Sequence, residues 1–489
     1  MGCLIGSSGL ENDNLRAHLT RLNAGLMRMM IPIAMFAKAE DLCDCKANRD
    51  FSIVAVQFLC DPELQGDAVD LLLIITRHKL PFDVFSRLVE TIPRLSSSLL
   101  QPTPPATTGG SSLPADIIEC LTFQRTYAEM VFSLLCENIS QATDRFYLQS
   151  IPNAQEILGN YVMLMANLIG QPSRRLAGDV AKEWTKIFRE DSIANIPWMS
   201  DVCAVLLNVY TSKMERIIWE KEMVPCGDTI VVNLTPLDET AAAEFNDYDE
   251  WMDFAGALKT QVKNLCSVLA VKFPKVCMSF LETRCRYLIS RPPMTAKADP
   301  YDAEDVMQWQ AFGTILEALS SKLVPSDTSI NNEMNVQVMG HLYGIIELLL
   351  SWTPPPHSVL LLQRLQCFHN YSTVLRSAPK EIIQRVFADL FGHDSHVLST
   401  ASPSVSASIV TPAQLSEKAS AVIAHLCHYC GEAVARDSTL LNAIVSQVKK
   451  CLKRSSMFQC ICLMIFSLKN ILSKPIIGTA IVPFTYDIV

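Results

Sequence analysis

The sequence is poor in glycine, poor in charge and almost without strand-like alternation. Gly accounts for 18 of 489 residues, while Leu, Ala, Ile, Val and Met dominate, which excludes a turn-rich β fold and favours helix. Charged residues make up 19% against 49% apolar. That balance excludes disorder and leaves ample material for a large core. Positive charge is in deficit: 41 Lys+Arg face 50 Asp+Glu, a net −9. A generally basic nucleic-acid binder is thereby excluded, and any RNA contact has to be local. Long apolar runs are missing too. The longest uncharged helix-like stretch, Ile157 to Ser173, is interrupted by Gly159, Asn160, Asn167, Gly170 and Gln171. The apolar stretches Ser455–Leu468 and Pro475–Tyr486 are shorter than the roughly 18 residues a span needs. No membrane insertion is expected. No P-loop, GxGxxG, HExxH, GxSxG or paired zinc knuckle is present. The chain is therefore read as a non-enzyme with no catalytic residue, no cofactor and no metal site.

What is plentiful is cysteine, 17 in all, an odd number scattered through apolar segments such as Leu134-Leu135-Cys136 and Val202-Cys203-Ala204. These read as reduced core thiols of a cytosolic or nuclear protein. The densest metal-like cluster is His425-Leu426-Cys427-His428-Tyr429-Cys430. Zinc needs four ligands, and two cysteines three residues apart on a helix supply half a site, so buried helical cysteines are expected there. Cys43-Asp44-Cys45 is weaker still. The start, Met1-Gly2-Cys3-Leu4-Ile5-Gly6-Ser7, resembles a lipidation signal but has Gly6 where the motif wants Ser or Thr.

Proline punctuation cuts the chain into helix-length pieces. After an ambiguous start, helices are expected over 63–79, 81–100, 115–140, 154–170, 173–190 and 197–220. A second series follows at 247–272, 275–290, 302–324, 330–352, 357–376, 379–391, 411–435 and 437–453. Several carry a 3.6-residue apolar stripe: Val306, Trp309, Gly313, Leu316 and Leu323; Ile382, Ile383, Val386, Phe387, Leu390 and Phe391; Leu440, Leu441, Ile444, Val445, Val448 and Leu452. Trp184 and Trp309 are expected as buried anchors. Thr229–Leu234 is the single strand candidate, placed in a loop. Gln101–Ala115, Val224–Ala243 and Ser395–Pro412 read as insertions between helices. Helix pairs every 40–50 residues describe an all-α fold, an α-solenoid of HEAT-like antiparallel pairs in an ARM-type superhelix. Its expected divisions are a poorly defined 1–50, repeats over 51–223, a polar and acidic loop at 224–246, repeats over 247–453 with the Ser-rich loop 395–412, and an apolar tail at 454–489.

The acidic stretch Glu244–Trp251 precedes a helix. Its carboxylates have two readings: stabilisers of the helix N-terminus, or a negative patch that receives a basic protein surface. Two basic clusters, Arg284, Arg286 and Arg291, and Lys449, Lys450, Lys453 and Arg454, read either as solvated helix ends or as local phosphate contacts.

Taken in order, the segments resemble the exportin-5 family of the importin-β, or karyopherin, superfamily. The resemblance runs through Asn160–Ile217 with Trp184 and Phe188-Arg189, the acidic Glu244–Trp251, Cys277–Ile289, and Val306–Phe312, which is similar to the family's "QWEA" helix. It continues through Leu348–Trp352, Leu360–Leu375, Ile382–Phe391 and Glu417–Val448, and spans residues 51–453. The order of the segments carries it, since no single motif is specific. The resemblance implies an export receptor that shuttles between nucleus and cytoplasm. Its implied partners are Ran in its GTP form, nucleoporins, and a cargo of short double-stranded RNA such as precursor microRNA, or of protein. Asp247, Asp249 and Glu250 are then expected at the Ran contact, and the two basic clusters at RNA phosphates. A protein-binding HEAT scaffold without Ran or RNA, and an import receptor of the same superfamily, are the alternatives. Against the family the chain reads as truncated, lacking N-terminal Ran-binding repeats and the C-terminal half. It also departs at Gln414–Lys418, which is nearly neutral where the family tends to carry arginines.

Overall fold

A computed structural model describes residues 13–38, 42–44, 49–99, 114–142, 153–226, 229–292, 301, 303–324, 333–354, 359–395, 412–431, 434 and 437–452. They run α1 (Asp13–Phe36), β1 (Cys43–Asp44), β2 (Arg49–Asp50), α2 (Phe51–Phe58), α3 (Gln65–Thr76), α4 (Phe82–Leu99), α5 (Pro114–Glu137), α6 (Ala154–Ile169), α7 (Arg174–Arg189) and α8 (Met199–Lys213). The hairpin β3 (Trp219–Cys226) and β4 (Thr229–Pro236) follows, then α9 (Glu239–Glu244), α10 (Tyr248–Lys272), α11 (Pro274–Ser290) and α12 (Glu304–Leu323). The series closes with α13 (Glu333–Ser351), α14 (Val359–Asn370), α15 (Lys380–Ser395), α16 (Pro412–Tyr429) and α17 (Ser438–Leu452). The Met1–Ser7 motif and the apolar tail lie outside the described residues, as do most of the Gln101–Ala115 and Ser395–Pro412 insertions.

The helices divide into two compact units. The first takes in α1 to α9 and α10 as far as Gln261; the second holds Met214–Arg216 and the chain from Val262 onward. Within the first unit α1, α3, α5 and α7 pack side by side in one layer, and α2, α4, α6 and α8 in another. Within the second unit α11, α13 and α15 form one layer and α12, α14 and α16 the other. Each helix thus leans on the next but one along the chain, which is the contact grammar of stacked helix pairs rather than of a bundle around one centre. The fold is an all-α solenoid.

The apolar stripes face the interior as expected: Val306, Trp309, Leu316 and Leu323 are buried, as are Ile383, Val386, Phe387 and Leu390. Trp184 and Trp309 are both inaccessible to solvent. Trp184 on α7 meets Phe132 of α5 edge to face at 5.4 Å between ring centroids. Trp309 on α12 stacks on Trp352, just beyond α13, at 4.3 Å. Such contacts lock neighbouring helices through large apolar area and ring geometry. Two buried hydroxyls bond across helices, Tyr161 donating to the Val131 carbonyl at 2.7 Å and Tyr210 to that of Ala177 at 3.1 Å.

Two expectations are corrected. The helix anticipated to residue 220 stops at Lys213, and the stretch 224–246, expected as a loop, holds β4, most of which is the strand candidate Thr229–Leu234, and helix α9. Trp219 to Cys226 instead pairs antiparallel with Thr229 to Pro236, from Trp219↔Pro236 to Cys226↔Thr229. A β-branched run finds a cross-strand partner close by, and the ladder prevails over the helical reading. The ambiguous segment 1–50 contains a 24-residue helix, α1. Its period is hard to see because its buried side includes Thr20 and Asn23, whereas Leu22, Met29, Ile33 and Phe36 lie outside.

Candidate functional site

The acidic stretch is knit into the N-terminus of α7. Arg174 and Arg175 open that helix, where their charge opposes the positive end of the helix dipole. Two devices compensate. Ser173 caps the helix, its hydroxyl accepting from the Leu176 N–H at 3.0 Å. The buried Glu244 carboxylate accepts from the Ser173 hydroxyl and from the N–H groups of Arg174, at 3.0 Å, and Arg175, at 3.4 Å. The chain supplies its own anion to a helix N-terminus, the position where anions are most stabilised.

The side chains of both arginines fold over the same junction. The Arg174 guanidinium lies 5.6 Å from the Trp251 ring and donates to the Lys213 carbonyl at 2.7 Å. That of Arg175 lies 4.8 Å from the Phe245 ring, donates to the Glu244 carbonyl at 2.8 Å and pairs with Glu250. Ile217, Ala241, Phe245 and Trp251 form the apolar floor, with Trp219, Tyr248 and Phe254 against it. This cluster roots the β3–β4 hairpin and α9 on the start of α10. Beside it, burial pushes the Lys213 ammonium down to about 8, with Arg174 adding to the effect and Glu244 opposing it.

The three residues expected at a Ran contact are therefore not equivalent. Asp247 caps α10, its carboxylate accepting from the Glu250 N–H at 2.8 Å. Glu250 reaches back to the Asn246 N–H at 2.8 Å, close to a reciprocal capping box. The Asn246 N–H first, then Arg175, hold the Glu250 carboxyl below its ordinary value. Asp249 is exposed in the first turn. Sequence reasoning weighed the capping role but missed α7 as a partner; the signal was two arginines directly after a Ser N-cap, a placement that calls for an acid.

The first basic cluster splits across α11. Residues 284 and 291 are seven apart and share a face, whereas 286 is turned some 200° away from 284. Arg284 and Arg291 bracket the exposed Tyr287 ring, 5.2 and 5.5 Å from its centroid. Arg284 faces Glu215 at 3.9 Å. Arg291 pairs with Glu304 at 3.3 Å and donates to the Gln308 side chain at 2.8 Å. Arg286, on the other face, pairs with Glu282 at 2.8 Å, as does His341 at 3.0 Å. Arg291 also lines a cavity of about 350 Å³ with Leu288, Asp305, Trp309, Trp352 and Leu360. Of the second cluster, Lys449 and Lys450 fall within α17; Lys453 and Arg454 lie outside the described residues.

Cys427 is buried on α16 and Cys430 just beyond its end, whereas His428 is exposed, so these side chains do not converge. His425 turns instead to His369, ring centroids 3.8 Å apart. Among the described residues no three His, Cys, Asp or Glu side chains gather as a metal site would need, and no single helix is long and apolar enough to cross a membrane.

Comparison with known proteins adds three findings. The chain matches no curated protein sequence. Among solved structures it is similar to Kap121p, in the crystal structure of Kap121p bound to Nup53p, at 12% identity and a TM-score of 0.37. That likeness covers 96% of this chain and 42% of Kap121p, so the chain spans about two fifths of the structure it matches. The family model described as "Exportin-5" matches residues 126–467, from within α5 past the end of α17, which takes in the α7 junction and the arginine face of α11. With well over half of its residues matched in this way, the chain belongs to the Exportin-5 family.

Proposed function

We propose that the chain acts in a nuclear export receptor, shuttling between nucleus and cytoplasm and carrying short double-stranded RNA, such as precursor microRNA, with Ran in its GTP form. The observation that carries this reading is the Exportin-5 family match over 126–467. The physics agrees in kind. A stack of helix pairs offers a long surface that follows the shape and phosphates of an A-form duplex without reading bases. On α11 the Arg284–Tyr287–Arg291 face has two cations beside an exposed ring. The longer of its two ion pairs, Arg284 to Glu215, is 3.9 Å. Lys449, Lys450, Lys453 and Arg454 are the second phosphate contact in this proposal. At the Ran contact, Asp247 and Asp249 are the exposed acids, and Asp247 and Glu250 also shape the turn. Nucleoporins are proposed as the partners during passage.

A protein-binding scaffold is the second reading, favoured by one observation: Arg284, Arg286 and Arg291 each already face a carboxylate of this chain. Filter binding of a 20-bp RNA duplex with a 3′ overhang, with and without RanGTP and across a salt series, separates the two. Export of duplex RNA requires tighter binding with RanGTP than with RanGDP, and a log–log salt slope that becomes shallower in an Arg284→Ser/Arg291→Ser variant. RNA affinity that ignores Ran and these arginines leaves the scaffold. Cargo lost on adding RanGTP indicates an import receptor.

A further inference from the structure

The cavity beside α11 belongs wholly to the second unit. Its volume, about 350 Å³, lies at the small end of ligand pockets, room for one flat ring system rather than a stacked run. Trp309, Trp352, Leu288 and Leu360 give it apolar wall, and Arg291 and Asp305 add a donor and an acceptor. These groups are held in place before any ligand arrives. The two indoles stack on each other, and the buried Asp305 carboxylate accepts from the Val306 N–H at 3.0 Å. Thr353 also lines the cavity and is exposed, so the cavity opens to solvent beside it. Arg291 is shared between this cavity and the outer face where it and Arg284 bracket the exposed Tyr287. Both arginines have donors to spare. The bonds from Arg291 to Glu304 and Gln308 use Nη1 and Nη2, and its Nε–H takes part in none of them. The Arg284 Nε is buried without a hydrogen-bond partner among the described residues. An unmet buried donor is costly, and an anion that draws this guanidinium outward relieves the cost.

Such a site asks for a ligand of divided chemistry. The part inside has to be flat and uncharged: the Asp305 carboxylate repels an acid, Arg291 repels a base, and a plain hydrocarbon ring leaves both polar groups unmet. The part outside has to be anionic, to meet Arg284 and Arg291. A nucleotide divides in this way, with donors and acceptors along the edge of its base and a phosphate attached. We propose that the cavity receives one unpaired base of an RNA, turned out of its helix, while the phosphates beside it meet Arg291 and Arg284. An unpaired base is the one that costs least to turn out. The inference rests on RNA being the cargo and deepens that reading: a break in the pairing is recognised, in addition to the duplex. A peptide with an acidic residue beside Trp is the rival occupant, disfavoured because an indole has a donor for Asp305 but no acceptor for Arg291.

The probes are two RNA duplexes with identical ends, one fully paired and one with a single bulged 2-aminopurine at its centre, each titrated with the full chain and RanGTP. The bulged duplex should bind at least about fivefold more tightly, and its 2-aminopurine should become protected from acrylamide quenching. Thr353→Trp narrows the opening from an exposed position, so the chain keeps its helix content and melting temperature. It should abolish both the preference and the protection while leaving the paired duplex bound as before. Arg284→Ser/Arg291→Ser should weaken both duplexes. Equal binding of the two duplexes, a bulged base that stays open to quencher, or indifference to Thr353→Trp overturns the proposal and leaves duplex binding standing. Failure of either duplex to bind at all removes the RNA reading itself, and this inference with it. A Trp-containing acidic peptide that binds in a Thr353→Trp-sensitive way, with no preference for the bulge, overturns the proposal in favour of a protein occupant.

Discussion

Replacing Glu244 by Ala should destabilise the first unit more than any exposed carboxylate does. Its carboxylate accepts the Ser173 hydroxyl and two backbone N–H groups at the start of α7, and it is buried. Hydrogen bonds to a charged acceptor contribute about 1.5–3 kcal/mol each and do not add fully; the bond at 3.4 Å contributes least. Removal also strips a counter-charge from Arg174 and from the buried Lys213 ammonium, whose charge Glu244 helps to hold. Breaking a buried ionic contact costs about 3–5 kcal/mol. The two effects overlap, and Glu244→Ala should cost about 3–4 kcal/mol. Glu244→Gln keeps an acceptor oxygen but loses the charge, and should cost about 1–2 kcal/mol. At about 2–4 °C per kcal/mol for a unit of this size, the Ala variant melts roughly 6–16 °C lower. The assay is thermal unfolding followed by circular dichroism together with tryptophan fluorescence, since Trp251 lies in the adjoining cluster. An Ala variant that melts within about 1 °C of the parent would refute the reasoning. A Gln variant as damaged as Ala would show that shape, not charge, holds α7.

Trp309→Ala removes a ring stacked on Trp352 and packed edge to face on Phe312, and chemical denaturation should report a loss of about 3–5 kcal/mol. Gly178→Ala should destabilise by about 1–2 kcal/mol, because a Cβ there would lie 2.8 Å from the Phe254 ring, which is backed by Phe245 and Trp251; an unchanged midpoint would mean the ring simply swings aside. Burial first, then His369 and His428, push His425 down to about 4. Between its unfolded value near 6.5 and about 4 the unfolded chain binds more protons, so stability is complete above 6.5 and falls as the pH drops through that window. The ring is half-buried, so the loss is about 1–2 kcal/mol after solvent screening, and His425→Phe should flatten that acid limb in urea titrations. Asp247→Ala should cost about 1 kcal/mol as a lost N-cap, measured against Asp249→Ala, which should be nearly neutral.

Local pattern decided a great deal in this chain. Prolines and 3.6-residue stripes locate the helices from residue 63 onward, and they place Trp184 and Trp309 inside, because a helix exposes its period within a few turns whatever it later packs against. Capping by Asp247 is equally local, a matter of three residues. Tertiary structure alone decided the rest. Ser173 and Glu244 are 71 residues apart, and no periodicity joins them; they meet because α9 returns to the head of α7. Helical spacing already sets Arg286 apart from Arg284 and Arg291, but their carboxylate partners Glu215 and Glu304 are supplied by the fold. The strand over Trp219–Cys226 exists because β4 is there to receive its hydrogen bonds. On α1 the stack, not the hydropathy, chooses the inner face: Thr20 and Asn23 are buried, whereas Leu22, Met29, Ile33 and Phe36 are exposed. A stripe records which residues share a side, whereas which side is buried depends on the neighbour that arrives.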